Sequence, residues 1–210
     1  SLVIESPGRR GRISRQRPDP HKIIITAEFE GTKEVNEWHI AERNDTYIPA
    51  DDAPRNFQLR LAYRDDLSET NQCLYSYFKS AVRFPFPAVV HGTFELSANR
   101  NQLVESDANK FLLSELAQLM IDCALEIAKR NPEDPWSPLR LLSLEEGTFG
   151  PEIEKMGFGE ALNQRIRASA IFPSVSGDYI TLSDKPLYYA NHPYSSVLTS
   201  EPFNRLLIYT

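Results

Sequence analysis

Between Ser106 and Pro132 the apolar residues Leu113, Leu116, Met120, Cys123 and Ile127 recur at intervals of three, four, three and four. That spacing sets all five on one stripe of an α-helix. Ser106 or Asp107 can cap its start, and the region of Pro132 ends it. A helix this long with a single apolar stripe needs an apolar surface to lie on, and the residues before it supply one. In "NFQLRLAYR", Phe57, Leu59, Leu61 and Tyr63 alternate with Gln58, Arg60 and Ala62, the pattern of a half-buried strand.

Other strand candidates precede the helix. "HKIIITAEFE", the turn-rich "GTKEVN" and "EWHIAERN" read as strand, loop and strand, hence a hairpin. "TYIPADDAPR" reads as a loop, and "QCLYSYFKS" and "AVVHGTFEL" as one strand each. After the helix comes a proline-rich connector, "NPEDPWSPLR", and then "PEIEKMGFGEALNQRIRAS", helical in its second half. In "AIFPSVSGDYITLSDKPLYYA" a turn at Ser176-Gly177-Asp178 separates two strands, and the final "EPFNRLLIYT" is short and apolar. The order is strands, helix, then a mixed α/β portion. It predicts a mixed β-sheet packed with a long helix over residues 21–131 and a smaller α/β extension over 132–210. Residues 1–20 hold "ESPGRRGRISRQRPDP", without period and rich in Arg, Gly and Pro, which predicts a flexible linker.

With 210 residues, 41% of them hydrophobic, the chain can bury a core without disulfides or metals. Cys73 and Cys123 both fall on apolar positions and read as free, buried thiols, which fits a reducing cytosol. No apolar run reaches the length of a membrane span, no signal peptide is visible, and a cytoplasmic protein is expected. The formal charge of −6 argues against broad nucleic-acid binding. The five arginines between Arg9 and Arg17 are the local exception, and no aromatic residue interleaves them as base stacking would require.

Familiar catalytic patterns are missing. There is no phosphate-binding glycine loop, no GxSxG elbow, and no metal-binding spacing among His21, His39, His91 and His192, so no metal is expected. The acidic pairs Asp51–Asp52, Asp65–Asp66 and Glu145–Glu146 would point to opposite faces of a strand and read as solvated charge. His91, beside Gly92, reads as a hydrogen-bonded structural histidine. Arg100 is different. Its loop, "SANRNQ", joins a strand to the helix, where loop amides, a helix N-terminus and a guanidinium can converge on an anion. The plainer alternative is an arginine bonded to loop carbonyls.

"LYSYFKSAVRFPFPAVVHGTFELSANRNQLV" resembles the segment that follows the nucleotide-binding domain in sacsin-like and Hsp90-like ATPases of the GHKL superfamily. The matching residues are Phe84, Pro85, Phe86, Pro87, His91, Gly92, Phe94, Leu96, Ser97, Asn99 and Arg100. "EWHIAER" and "IFPSVSGDYITLSD" are similar to stretches on either side of that segment, and the likeness is good over about residues 22 to 130. It implies a fold like the Hsp90 middle domain or ribosomal S5 domain 2. It also implies that Arg100 is the catalytic cation delivered to the γ-phosphate of ATP. Asn99, Asn101 and Gln102 would accompany it at the phosphates, with His91, Gly92 and Ser97 shaping the loop. The chaperones carry a glutamine further along this loop, where this chain has Val104.

The E-x-x-x-N helix, D-x-G-x-G loop and glycine-rich lid of such ATPases do not occur in the expected form or order. The chain also starts without Met. The resemblance therefore implies a piece of a larger ATPase, with no activity or cofactor of its own. ATP and Mg²⁺ would be held by an upstream domain of the same chain, and a client or effector protein would be the further partner. A protein-interaction module without a nucleotide role is the alternative, working through Phe84, Phe86, Trp136, Tyr188 and Tyr189. A small hydrolase using His91 and acidic pairs is a more distant one.

Overall fold

A computed structural model describes residues 2–6, 9–48, 53–68, 73–143, 149–174 and 177–183, with the two-residue strands at 188–189 and 206–207. Eight strands form one sheet. In chain order they are β1 (Leu2–Ser6), β2 (Arg9–Asp19), β3 (Lys22–Phe29), β4 (Thr32–Tyr47), β5 (Arg55–Tyr63), β6 (Cys73–Ser76), β7 (Phe78–Arg83) and β8 (Val89–Gly92). In space they run β1-β2-β3-β4-β5-β8-β6-β7. Every neighbouring pair is antiparallel except β6 with β8. The protein is thus mixed α/β, built on a mostly antiparallel sheet.

The β3–β4 hairpin exists, with a tighter turn than its sequence suggests. Glu30 and Gly31 both have positive φ, 50° and 83°, and Phe29 pairs directly with Thr32. Two such residues make the kind of turn whose twist matches that of the flanking strands. Thr32–Asn36, read as loop, therefore belongs to β4. The linker reading of residues 1–20 is corrected in the same way, because Arg9–Asp19 is a strand paired with β3. Backbone hydrogen bonds to the β3–β4 hairpin hold it, and these need no apolar period. Its register slips between Gln16 and Asp19, where Pro18 cannot donate to the ladder.

β5 lies at the heart of the fold. Phe57, Leu59, Leu61 and Tyr63 are all buried on one face and meet α1 (Asp107–Arg130). The helix buries Leu113, Leu116, Met120, Cys123 and Ile127, as the spacing requires. The Ser106 hydroxyl accepts from the Asn109 N–H at 3.2 Å and caps it, and Asn131 closes the other end ahead of Pro132. Each large stripe residue removed from water contributes about 1.5–3 kcal/mol. Both cysteines are free and buried.

Beyond α1 come α2 (Ser137–Leu141), α3 (Pro151–Lys155) and α4 (Phe158–Ala168). Leu141, Ile153, Phe158 and Leu162 join the same hydrophobic core as Leu113 and Leu61, so these three helices share that core. The hairpin of β9 (Phe172–Pro173) and β10 (Tyr179–Ile180) carries Gly177 at φ 89°. β11 (Tyr188–Tyr189) pairs in parallel with β12 (Leu206–Leu207).

Two further readings change. "QCLYSYFKS" is not one strand. Tyr77, at φ 59°, breaks it into the β6–β7 hairpin. Phe84 and Phe86 are not surface residues either, being 0% and 1% exposed. They pack with each other and with Phe158 at centroid separations of 4.7–6.1 Å. Among the described residues no helix is long and apolar enough to cross a membrane.

The packing gives a direct test. Leu116 is fully buried between α1 and the sheet, so Leu116→Ala is expected to cost about 2–5 kcal/mol. Urea denaturation of the variant against wild type reads this as a lowered midpoint.

Candidate functional site

The β8–α1 connection, residues 93–106, is held at its base by one buried side chain. Asn109, in the first turn of α1, is fully buried. Its Nδ2 donates to the carbonyls of Glu95 and Val104, each at 2.8 Å, and its Oδ1 accepts from the Glu95 N–H at 3.0 Å. Glu95 and Val104 flank the Leu96–Leu103 bridge, so Asn109 ties both legs of the loop to the helix. Glu95 also accepts from the Ser106 hydroxyl at 2.6 Å and from Arg55 at 2.9 Å.

Within the loop, Ser97 and Asn99 act locally. The Ser97 hydroxyl donates to Asn99 Oδ1 at 2.8 Å and accepts from the Gln102 N–H at 3.2 Å. Asn99 Oδ1 also accepts from the Asn101 N–H at 3.2 Å. Asn99 is therefore spent on loop shape, while Asn101 and Gln102 are exposed at the rim. Gly92 is required sterically, since a Cβ there would lie 2.7 Å from the Phe94 ring and 2.8 Å from Leu59.

Arg100 sits at φ 59°, a conformation costing roughly 1–2 kcal/mol for a residue with a Cβ. Its Nη2 donates to the carbonyl of Ser76 at 2.5 Å and to that of Phe78 at 3.0 Å. These carbonyls lie on either side of Tyr77, itself at φ 59°. The guanidinium carbon stands 5.6 Å from the centre of the Phe78 ring, and Nε is enclosed without an acceptor. The Arg100 carbonyl accepts from the Ala81 N–H at 3.1 Å. The loop and the β6–β7 turn thus brace each other.

His91 supports the same turn from the sheet. Its Nε2 accepts from the Tyr77 N–H at 3.2 Å, which fixes the ring as an acceptor there, and Nδ1 is buried without a partner. Burial, and then the nearby Arg60 guanidinium, hold its pKa below the ordinary histidine value.

The sequence-derived residues therefore gather into one constellation of Arg100, its loop, His91 and the turn at Tyr77. Asn109, Tyr77 and Phe78 were not singled out from sequence. A lone asparagine in "ESDANK" carries no mark of burial, and a tyrosine in the left-handed region has no local signature. The other candidates scatter. Asp65 faces His39 and Arg130, whereas Asp66 pairs with Arg64 and Ser68. Asp51–Asp52, Glu145–Glu146, His192 and the side chains of Tyr188 and Tyr189 lie outside the described residues. Arg12 and Arg15 fall on opposite faces of β2 by strand alternation, and Arg17 pairs with Glu42.

A second feature is a cavity of about 550 Å³ between β4 and the C-terminal half of α1. Ala41, Tyr63, Leu119 and Cys123 line it, with Arg43 and Arg130 at its rim. Its charges are already matched. Arg43 bonds Glu115 at 2.5 Å and Asp122 at 2.7 Å, and Arg130 donates to the Tyr63 hydroxyl at 2.6 Å. Burial pushes the Cys123 thiol up to about 12 and so leaves it unreactive. Nearby, Glu37, His39 and Asp65 bring donor atoms within 4.8 Å of one another. Lys22 already binds Glu37, and Arg130 lies against both His39 and Asp65, so cations of the protein occupy the place of an ion.

Comparison with known protein families, with curated proteins and with solved structures finds no match for this chain.

Two outcomes follow from this geometry. Asn109→Ala leaves the Glu95 N–H and the Val104 carbonyl without partners, while the Glu95 carbonyl keeps the Val104 N–H at 2.9 Å, and is expected to cost about 1–3 kcal/mol. Amide hydrogen exchange should rise at Glu95 and across residues 96–104 before it rises elsewhere. For His91 the sign is set by its lowered pKa. Protonation removes the acceptor for the Tyr77 N–H, so the unfolded chain takes up the proton first. Stability is then full above about pH 6.5 and falls as the pH drops below it. Denaturation midpoints at pH 7.5, 6.5 and 5.5 should show this fall, and His91→Gln should flatten it.

Proposed function

We propose that this chain is the coupling domain of an Hsp90-like or sacsin-like ATPase, supplying Arg100 to ATP bound by an upstream domain and relaying nucleotide state to a client or effector. The observation that supports this reading most is the setting of Arg100. It is a cation on a loop pinned at both legs to a long helix, standing at the junction of that helix with the sheet. A guanidinium so mounted could offset the negative charge that develops on a transferred phosphoryl group. Because α1 and β5 form the core, a contact made at Arg100 would be felt along the rigid helix.

On this reading the mixed sheet and long helix are a variant of the middle-domain or S5-domain-2 architecture, and ATP with Mg²⁺ is held by the upstream domain. This chain contributes one cation and no phosphate cradle, since the side chains of Ser97 and Asn99 are already committed within the loop. Asn101 and Gln102 are the rim residues with polar groups free to turn toward phosphate oxygens.

The test is ATP turnover by the full-length protein, wild type against Arg100→Ala, with ATP affinity measured in parallel. Turnover should fall about 100-fold or more, with affinity changed less than about twofold. Unchanged turnover would make Arg100 a brace for the β6–β7 turn and leave the protein-interaction module as the better reading.

A further inference from the structure

β3 turns its apolar side away from the helices. Directly paired residues share a face of a sheet, so the pairs Ile25–Asn36, Ile23–Trp38 and Ile40–Ala62 carry one face from β3 across to β5. On β5 that face holds Gln58, Arg60 and Ala62, opposite the buried Phe57, Leu59, Leu61 and Tyr63. It is the outward face, because α1 packs on those buried residues and α2 and α4 pack on α1. The solvated face of an antiparallel sheet is ordinarily the polar one, and β5 conforms. β3 does the reverse: Ile23, Ile25, Ala27 and Phe29 fall outward, while Lys22, Ile24, Thr26 and Glu28 fall inward.

Ile13 of β2 and Trp38 and Ile40 of β4 extend this set into one stripe. Ile13, Ile23, Ile25, Trp38 and Ile40 all keep part of their surface in solvent, and Phe29 is 43% exposed. The Phe29 ring lies over Gly11, where a Cβ would meet it at 2.0 Å, so the stripe reaches β2 at the hairpin end as well. Along β4 it runs from Thr32 to Ile40, roughly 27 Å at the usual rise, and over the four strands β2 to β5 it is roughly 19 Å wide. That gives about 500 Å² on one copy and about 1,000 Å² for two copies face to face, the area at which a specific interface begins.

Charge decides what covers the stripe. Arg17 and Arg60 both pair with Glu42. Arg15 of β2 and Glu34 of β4 lie on either side of the Ile25–Ala27 row, are exposed, and have no ion partner among the described residues. Glu34 accepts only from Asn36, at 2.8 Å. One free cation and one free anion make the surface complementary to itself. A second copy turned over about a two-fold axis brings its Glu34 to Arg15 and its Arg15 to Glu34. A partner of a single charge sign would leave one of the two unmatched.

We propose that the outward face of β2–β4 is the contact between two copies of this chain, packed sheet on sheet with β3 at its centre and an Arg15–Glu34 pair at each margin. Packed so, the two sheets stand about 10 Å apart with strand directions within about 30° of each other. The contact takes Ile25 and Trp38 out of water, which the helices on the inward side do not. It lies at the other end of the sheet from Arg100, which bonds to β6 and β7, and it does not depend on the role given to that arginine.

The experiment is sedimentation velocity on the full-length protein, from nanomolar to high micromolar concentration, with Ile25→Glu, Arg15→Glu and Glu34→Arg. Circular dichroism and a thermal melt check that each variant is folded. Wild type should sediment as a dimer and Ile25→Glu as a monomer throughout. Each charge reversal alone should raise the dissociation constant about tenfold or more, since like charges then face each other at both margins. An equimolar mixture of Arg15→Glu with Glu34→Arg should associate as wild type does, because one copy then presents two acids and the other two bases.

A wild type that stays monomeric at every concentration overturns the proposal, and so does a dimer that Ile25→Glu leaves intact. A mixture that associates no better than either charge reversal alone overturns the two-fold pairing of Arg15 with Glu34, and the proposal with it. If Ile25→Glu fails to fold, the two charge reversals, both at exposed positions, carry the test by themselves.

Discussion

A single buried amide governs the geometry on which everything at the sheet–helix junction depends. Asn109 partners two backbone groups that have no other bond, the N–H of Glu95 and the carbonyl of Val104, and adds a second donor to the Glu95 carbonyl, which already accepts the Val104 N–H. In a low-dielectric interior each such group costs more to strand than a hydrogen bond returns in water. The loop between Leu96 and Leu103 therefore has fixed ends, and its internal bonds among Ser97, Asn99, Asn101 and Gln102 can shape a compact turn without a core of their own. Arg100 inherits its position from that arrangement.

Scaffold and site differ in how they are held. The scaffold is a matter of apolar area: β5 against α1, with the later helices and the Phe84–Phe86–Phe158 cluster completing one core. Polar atoms at the site act in small numbers. Two residues in the left-handed region, Tyr77 and Arg100, face each other and are joined by the arginine's bonds to the carbonyls beside the tyrosine. Strain at one is sustained by contacts from the other, so the pair has the makings of an element that changes state as a unit.

Legibility in the sequence follows the same division. The α1 stripe, the alternation of Phe57 to Tyr63 and a cap at Ser106 or Asp107 could all be read, because each is a repeating or positional pattern in side chains. The β3–β4 hairpin could be read as well, though not the turn at Glu30–Gly31. The strand Arg9–Asp19 could not, since backbone pairing to β1 and β3 chiefly holds it and its arginines carry no period. Phe84 and Phe86 alternate with Pro85 and Pro87 in a run that resembles an exposed loop, and only tertiary packing buries them. At the site, the loop around Arg100 stood out as polar and well placed. Its partners are main-chain carbonyls at Ser76 and Phe78, which no side-chain pattern records.

The β3–β4 ribbon joins the body of the protein on different terms. Beyond the β5 ladder, it meets α1 in two ways: the Tyr47 ring stacks on Phe111 at 4.6 Å, and guanidinium groups join Arg43 to Glu115 and Asp122 and Arg130 to the His39 ring. Between those links lies open space rather than packed side chains. Ion pairs at a partly wet seam weaken as counter-ions accumulate, whereas the apolar core does not. Salt therefore acts on the seam at Arg43 and Arg130, while the Tyr47–Phe111 stack and the apolar core keep their hold.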